Sequence, residues 1–100
     1  MKHRGSKDKN HKALSDHFEA LGCSVTDLAL AGVNGLPDIA VGCMGRTYLV
    51  ELKNPDTAYG RKGMNTDQLR FAERWRGGQV YCVNTIEEVE ILVMNWRRQK

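Results

Sequence analysis

The feature that most constrains this chain is a pair of apolar runs separated by a glycine turn. Asp38 to Cys43, "DIAVGC", reads as one short strand, and Arg46 or Thr47 to Lys53 reads as another. Met44-Gly45 between them reads as a hairpin turn. Both runs are patterned for a core. Yet Asp38 opens the first, and Glu51 and Lys53 stand at the end of the second. The register decides what those charges mean. A two-residue loop pairs Cys43 with Arg46, and counting back sets Asp38 directly opposite Glu51. Such residues share a sheet face, with Cβ atoms about 4.5–5.5 Å apart. A three-residue loop would set Asp38 opposite Leu52 and send the two acids to opposite faces.

Under the two-residue register the charges form one patch. Glu51 and Lys53 are two apart and share a face, while Tyr48, Val50 and Leu52 point the other way into a core. Two close carboxylates repel, and an unpaired buried ion costs several kcal/mol. A hard divalent cation between them removes the objection, because Mg²⁺ takes oxygen ligands and keeps several waters. Such an ion acidifies water into a nucleophile. Lys53 would orient that water or stabilise charge developing on a phosphate. The plainer alternative makes Asp38 the cap of a turn after Pro37, and Glu51 with Lys53 an edge-strand pair that discourages aggregation. An isolated Glu-x-Lys means little. Pro-Asp followed at hairpin distance by Glu-x-Lys is much less common.

The rest of the chain supplies the frame. His11, Leu14, Phe18 and Leu21 share one helical face, with Ser6 or Asp8 as a start cap and Gly22 as the stop. "CSVTDLALAG" reads as a strand and "GVNG" interrupts it. Asn54 to Met64 is a polar loop rich in Pro and Gly. Asn65 and Gln68 have the spacing of a capping box, opening a helix whose apolar side is Leu69, Phe71, Ala72 and Trp75. Gln79 to Val83 is a fourth strand. Thr85 and Glu88 form a second capping box, before a helix carrying Ile86, Val89, Leu92, Val93 and Trp96 on one face. The order is αβββαβα, an α/β arrangement with a mixed four-stranded sheet flanked by helices.

One hundred residues suffice for a single domain, 1–100, with little surface to spare for a second one. No apolar run is long enough to span a membrane, and no apolar segment follows the basic start, so a cytoplasmic location is expected. Cys23, Cys43 and Cys82 are scattered and odd in number, which reads as small buried hydrophobes rather than disulfides or a zinc site. The net charge is only +3, but it is clustered. Lys7, Lys9 and Lys12 lie near the start, Arg46 at the hairpin, and Arg61 and Lys62 in the polar loop. Such clusters suit a polyanion, and these six are the candidates for gripping a nucleic-acid backbone. Exposed aromatics such as Tyr59 or Trp96 are further candidates.

Pro37-Asp38 with Glu51-Leu52-Lys53 resembles the PD-(D/E)xK nuclease superfamily. "GLPDIAVG", "YLVELK" and Gln68 at the next helix start resemble more narrowly the virus-type replication-repair nuclease (VRR-NUC) family, in its small stand-alone phage and bacterial form. The resemblance runs from about Asn10 to Leu92. It implies a restriction-endonuclease-like core and a Mg²⁺- or Mn²⁺-dependent endonuclease in a bacterial or phage-infected cell. It implies that Asp38, Glu51 and the main-chain carbonyl of Leu52 bind metal, that Lys53 is catalytic and that Gln68 supports the site. It further implies a homodimer acting in DNA repair on branched DNA such as four-way (Holliday) junctions. Nicking or restriction-like cleavage of linear or single-stranded DNA, a non-catalytic DNA-binding module of the same fold and a small interaction module are the alternatives. In one respect the chain departs from the pattern. Many members of the superfamily carry an acid on the first helix, and the comparable position here is near His11. His11 is then a metal ligand, a phosphate contact or the end of the apolar stripe; Asp8 is the weaker candidate.

Overall fold

The computed structural model describes residues 5–54 and 63–99, with side chains from Asn10 onward. Its elements are α1 (Gly5–Ala20), β1 (Ser24–Asp27), a 3-10 turn (Ala29–Ala31), β2 (Ile39–Cys43), β3 (Arg46–Leu52), α2 (Thr66–Arg74), β4 (Val80–Val83) and α3 (Ile86–Arg98). This is the expected αβββαβα order. The four strands make one sheet in the order β1-β2-β3-β4. β1, β2 and β3 run antiparallel as a meander, and β4 returns through α2 to lie parallel to β3. No helix among the described residues is long and apolar enough to cross a membrane.

The β2–β3 turn has two residues. Cys43 pairs with Arg46, and the ladder continues back to Ile39 opposite Val50. Met44 (φ 53°) and Gly45 (φ 79°) are both left-handed, the geometry that matches a hairpin's twist. Alternate residues then face one core. Ile39, Val41 and Cys43 on β2 and Tyr48, Val50 and Leu52 on β3 are all buried. α1 covers them with Leu14 and Phe18, and α3 covers them with Val89, Val93 and Trp96. Trp96 stacks on Tyr48 at 3.8 Å between ring centroids and meets Tyr81 edge-on at 5.4 Å, so α3, β3 and β4 are locked by one aromatic cluster. Trp96 is therefore not an exposed aromatic.

Several local expectations change. α1 has begun by Gly5, so Ser6 and Asp8 lie inside the helix rather than capping it. Its C-terminus closes with Cys23 N–H donating to Phe18 O and Gly22 N–H to Glu19 O, with Gly22 left-handed. The run from Cys23 is a strand only to Asp27. The Asp27 carboxylate then accepts the Ala29 N–H at 2.7 Å, which turns the chain into the 3-10 segment. At the start of α3, Thr85 Oγ1 accepts the Glu88 N–H, but the Glu88 carboxylate reaches back one residue further, to the Asn84 N–H. Cys23 and Cys43 are buried as expected, and burial pushes the Cys23 thiol up to about 11. Cys82 is exposed instead, because its position on β4 faces the other side of the sheet, level with Glu51. α2 departs furthest from expectation: no residue on it is buried, Leu69 stands 49% exposed, and Trp75 lies just past the helix as its extended C-cap, 43% exposed.

Candidate active site

The site forms on the sheet face opposite the core, where β2 begins and β3 ends. One residue beyond the last ladder pair, Ile39 with Val50, stand Asp38 and Glu51. Asp38 Oδ2 accepts the main-chain N–H of Leu52 at 2.7 Å, so the first acid is fastened to the strand that carries the second. Asp38 also turns its own carbonyl outward to the Leu28 N–H at 2.9 Å, which ties the β1–β2 loop to this edge. Glu51 and Lys53 are each only 3% exposed. Lys53 Nζ lies 3.4 Å from Glu51 Oε2, and its main-chain N–H donates to Val83 O on β4 at 2.9 Å.

Gln68 completes the group. Its Oε1 accepts from Lys53 Nζ and from the Asn65 N–H, both at 2.9 Å, and its Nε2 donates to Glu51 Oε2 at 2.5 Å. Two donors on one oxygen fix the amide orientation, leaving the nitrogen to face the carboxylate. The Asn65 side chain in turn accepts the Gln68 N–H at 2.9 Å. The capping box and the support of the site, which the sequence offers as two roles for Gln68, are made by the same side chain at once.

The electrostatics are those of a crowded acid pair. Burial, first, and then the neighbouring Asp38 carboxylate push Glu51 up from 4.5 to about 8; the Lys53 ammonium pulls the other way and does not restore it. Without a further positive charge, Glu51 holds its proton at neutral pH. The donor set suits a hard divalent cation: two carboxylates side by side, one of them nearly sealed from water and incompletely neutralised by a single lysine. Asp38 and Glu51 could hold such an ion. Among the described residues no group of three or more His, Cys, Asp or Glu side chains is gathered to hold a metal, so His11 is not brought into a cluster with the two acids.

α1 reaches the site through Asn10 instead. Asn10 Nδ2 donates to the main-chain carbonyl of Lys53 at 2.6 Å, while His11 next to it is half-buried. Nothing in the sequence singled out Asn10, which is one polar residue among many at the start of that helix. Gly35 was also missed. It is left-handed (φ 80°), and a β-carbon there would collide with the Asp67 carbonyl in the first turn of α2. The loop leading into Pro37-Asp38 thereby sits directly on the helix that presents Gln68; a glycine just before Pro-Asp was the available signal.

The proposed backbone-gripping residues are more dispersed. Arg46 lies at the far end of β3, five strand positions or about 16 Å from Glu51, and donates to Gln99 Oε1 at 2.9 Å. Lys12 is exposed and pairs with Asp16 at 3.0 Å. The side chains of Lys7, Asp8 and Lys9, and the whole of 55–62 with Tyr59, Arg61 and Lys62, lie outside the described residues.

No family model matches the chain, and no curated protein does. One solved structure, a "VRR_NUC domain", shares the fold with a TM-score of 0.70 and 30% sequence identity, over 91% of this chain and 97% of that one. With that identity sustained over nearly the full length of both chains, the protein belongs to the VRR_NUC family and has its nuclease-type fold.

Proposed function

We propose that the protein is a divalent-metal-dependent DNA endonuclease. The observation that carries this reading is the packing of Asp38, Glu51, Lys53 and Gln68 into one hydrogen-bonded group at the open end of the hairpin. Asp38, Glu51 and the Leu52 carbonyl would hold Mg²⁺ or Mn²⁺. When bound, such an ion supplies Lewis-acid polarisation of the scissile phosphate and lowers the pKa of nearby water. The chain's own residues do the rest. The Leu52 amide holds the Asp38 carboxylate in place. Gln68 keeps Glu51 and Lys53 in fixed relation, so Lys53 presents its ammonium in one direction. There it orients the attacking water and faces the negative charge that builds on the phosphate as the opposite P–O bond breaks. Basic residues would grip the backbone in a salt-dependent way.

The finer reading is a homodimer that cuts branched DNA such as four-way junctions. One site cuts one strand, so paired cuts need two sites, and among the described elements none is a helix set apart for reading bases. The test is one assay. Labelled four-way, flap, linear duplex and single-stranded DNA are incubated with Mg²⁺, Mn²⁺ or EDTA, beside Lys53→Ala and Asp38→Asn. The reading expects metal-dependent cutting, strongest on branched DNA and lost in both variants. Cleavage that survives EDTA or both substitutions refutes the mechanism. Equal cutting of every substrate refutes the junction preference alone, and retention of a monomer at working concentrations refutes the dimer.

A further inference from the structure

α2 presents a surface that the nuclease reading does not use. Gln68 and Phe71 fall at i and i+3 on one helical face, and Trp75, the C-cap just past the helix, continues it, so the face runs from the acid site outward for about 10 Å. In a crossover helix that face normally packs on the sheet, yet no residue of α2 is buried. Phe71 and Trp75 instead stack on each other, ring centroids 5.4 Å apart and planes 17° off parallel. The indole is held from one side by the backbone: a β-carbon on Gly77 would lie 2.5 Å from Trp75 Nε1. The rings open into a depression lined with Val33, Asn34 and Arg74. Arg74 and the following Arg76 are exposed, and neither makes a side-chain hydrogen bond or ion pair among the described residues.

A preorganised aromatic face with the Arg74 guanidinium at its edge, and Arg76 two residues on, has a specific complement. The partner must offer a flat apolar ring and, within a few ångströms, negative charge. A nucleotide does both, but only when its base is unpaired and free to leave the duplex stack. A second copy of this chain fits less well, since it would bring the same cations against themselves. We propose that Phe71 and Trp75, with Arg74 and Arg76, form a stacking site for an unpaired nucleobase of the DNA substrate, one or two nucleotides from the scissile phosphate. The inference rests on DNA being the ligand of the acid site. It gives a physical basis for a preference for branched DNA, because bases at a branch point are the ones available to stack.

The chain has two tryptophans, and Trp96 is buried, so quenching on DNA binding reports Trp75. Wild type is titrated in EDTA with a forked DNA and with a blunt duplex of equal length, while anisotropy of labelled DNA records binding independently. The fork is expected to quench Trp75 and the blunt duplex to leave it nearly unchanged. Trp75→Ala should weaken fork binding about 5- to 150-fold, the range for one lost base–aromatic stack, with little effect on the blunt duplex. Trp75→Phe should retain most of the affinity and lose the quench. Fork binding without quenching, or equal weakening of fork and duplex by Trp75→Ala, overturns the proposal. So does a Trp75 signal that follows protein concentration without DNA, which would give the face to a second copy. Quenching by the fork in a protein that cleaves nothing with Mg²⁺ would retain this site and remove the nuclease reading; cleavage without quenching would do the reverse.

Discussion

Glu51→Gln offers a direct reading of the site's electrostatics without any substrate. Glu51 is 3% exposed, and its carboxyl titrates at about 8 in the folded chain against 4.5 when free. A raised acid pKa means that the folded state holds a proton the unfolded state releases. Below pH 4.5 both states are protonated and the group contributes its full share to stability. Between 4.5 and 8 that share is lost as the pH rises, and above 8 no more is lost. Each unit is worth about 1.4 kcal/mol, so at pH 7 the carboxyl costs the metal-free protein about 3 kcal/mol relative to pH 4.5. Glutamine cannot ionise and keeps a similar shape. The assay is urea unfolding in EDTA at pH 5, 6, 7 and 8, on wild type and variant. Wild type should lose stability across this series by about 3 kcal/mol more than Glu51→Gln does. The variant should be the more stable protein at pH 8. Adding Mg²⁺ at pH 8 should raise the wild-type midpoint and leave the variant's nearly unchanged, since a ligand stabilises only the state that binds it. Parallel pH slopes for the two proteins would refute the account of Glu51; a Mg²⁺ effect of equal size in both would refute its part in holding the ion.

Three further outcomes follow from contacts away from the acids. Gly35→Ala places a β-carbon against the Asp67 carbonyl in a left-handed backbone, so stability should fall by about 2 kcal/mol or more in urea unfolding, and cleavage should fall further than the unfolded fraction explains because the Gln68 end of α2 is displaced. Asn10→Ala removes the donor to the Lys53 carbonyl and should cost about 1–2 kcal/mol, with kcat reduced and KM little changed in single-turnover and steady-state cleavage; an unchanged kcat would show that the α1 contact is structural only. Trp96→Ala empties the centre of the aromatic cluster and should cost about 3–5 kcal/mol by thermal or urea unfolding, enough to unfold much of a small domain.

The hairpin and its consequences were legible in the sequence because each rests on local rules. Two residues between alternating apolar runs, one of them glycine, select the turn, and the turn selects which side chains oppose each other. The helix carrying Leu14 and Phe18 and the helix carrying Val89, Val93 and Trp96 were equally readable, since their stripes are truly buried. The same rule misjudged α2. Phe71 and Trp75 have core spacing, and periodicity alone does not distinguish a stripe that meets the sheet from one that meets solvent or a ligand. Cys82 failed for a related reason: an apolar strand has two faces, and only one of β4's faces the core. Asn10 was not legible, and Gly35 showed only as a glycine shortly before Pro-Asp, with no sign of what it meets. Their importance arises from what lies across space from them, the Lys53 carbonyl and the Asp67 carbonyl, and neither contact leaves a periodic or motif signal.

Gln68 shows why the site and the fold are hard to separate here. Its Oε1 satisfies the Asn65 N–H, a group at the start of α2 that helix geometry leaves without an intrahelical partner. The same oxygen anchors Lys53, and the nitrogen beside it meets the buried Glu51 carboxyl. Forming the first turn of α2 therefore brings Gln68 to the Glu51–Lys53 pair, and melting that turn withdraws it. α2 is also the least buried of the three helices among the described residues. A helix with so little packing to hold it depends on its caps more than most, and its caps are shared with the site. Occupation of the acid pair, by fixing Glu51 and through it Gln68, should then slow the opening of α2, whose Phe71–Trp75 face is already stacked. Hydrogen exchange measures this: amides 69–74 should gain protection on adding Mg²⁺ in wild type and gain none in Gln68→Ala. Equal protection in the two proteins would mean that the helix and the site fold independently.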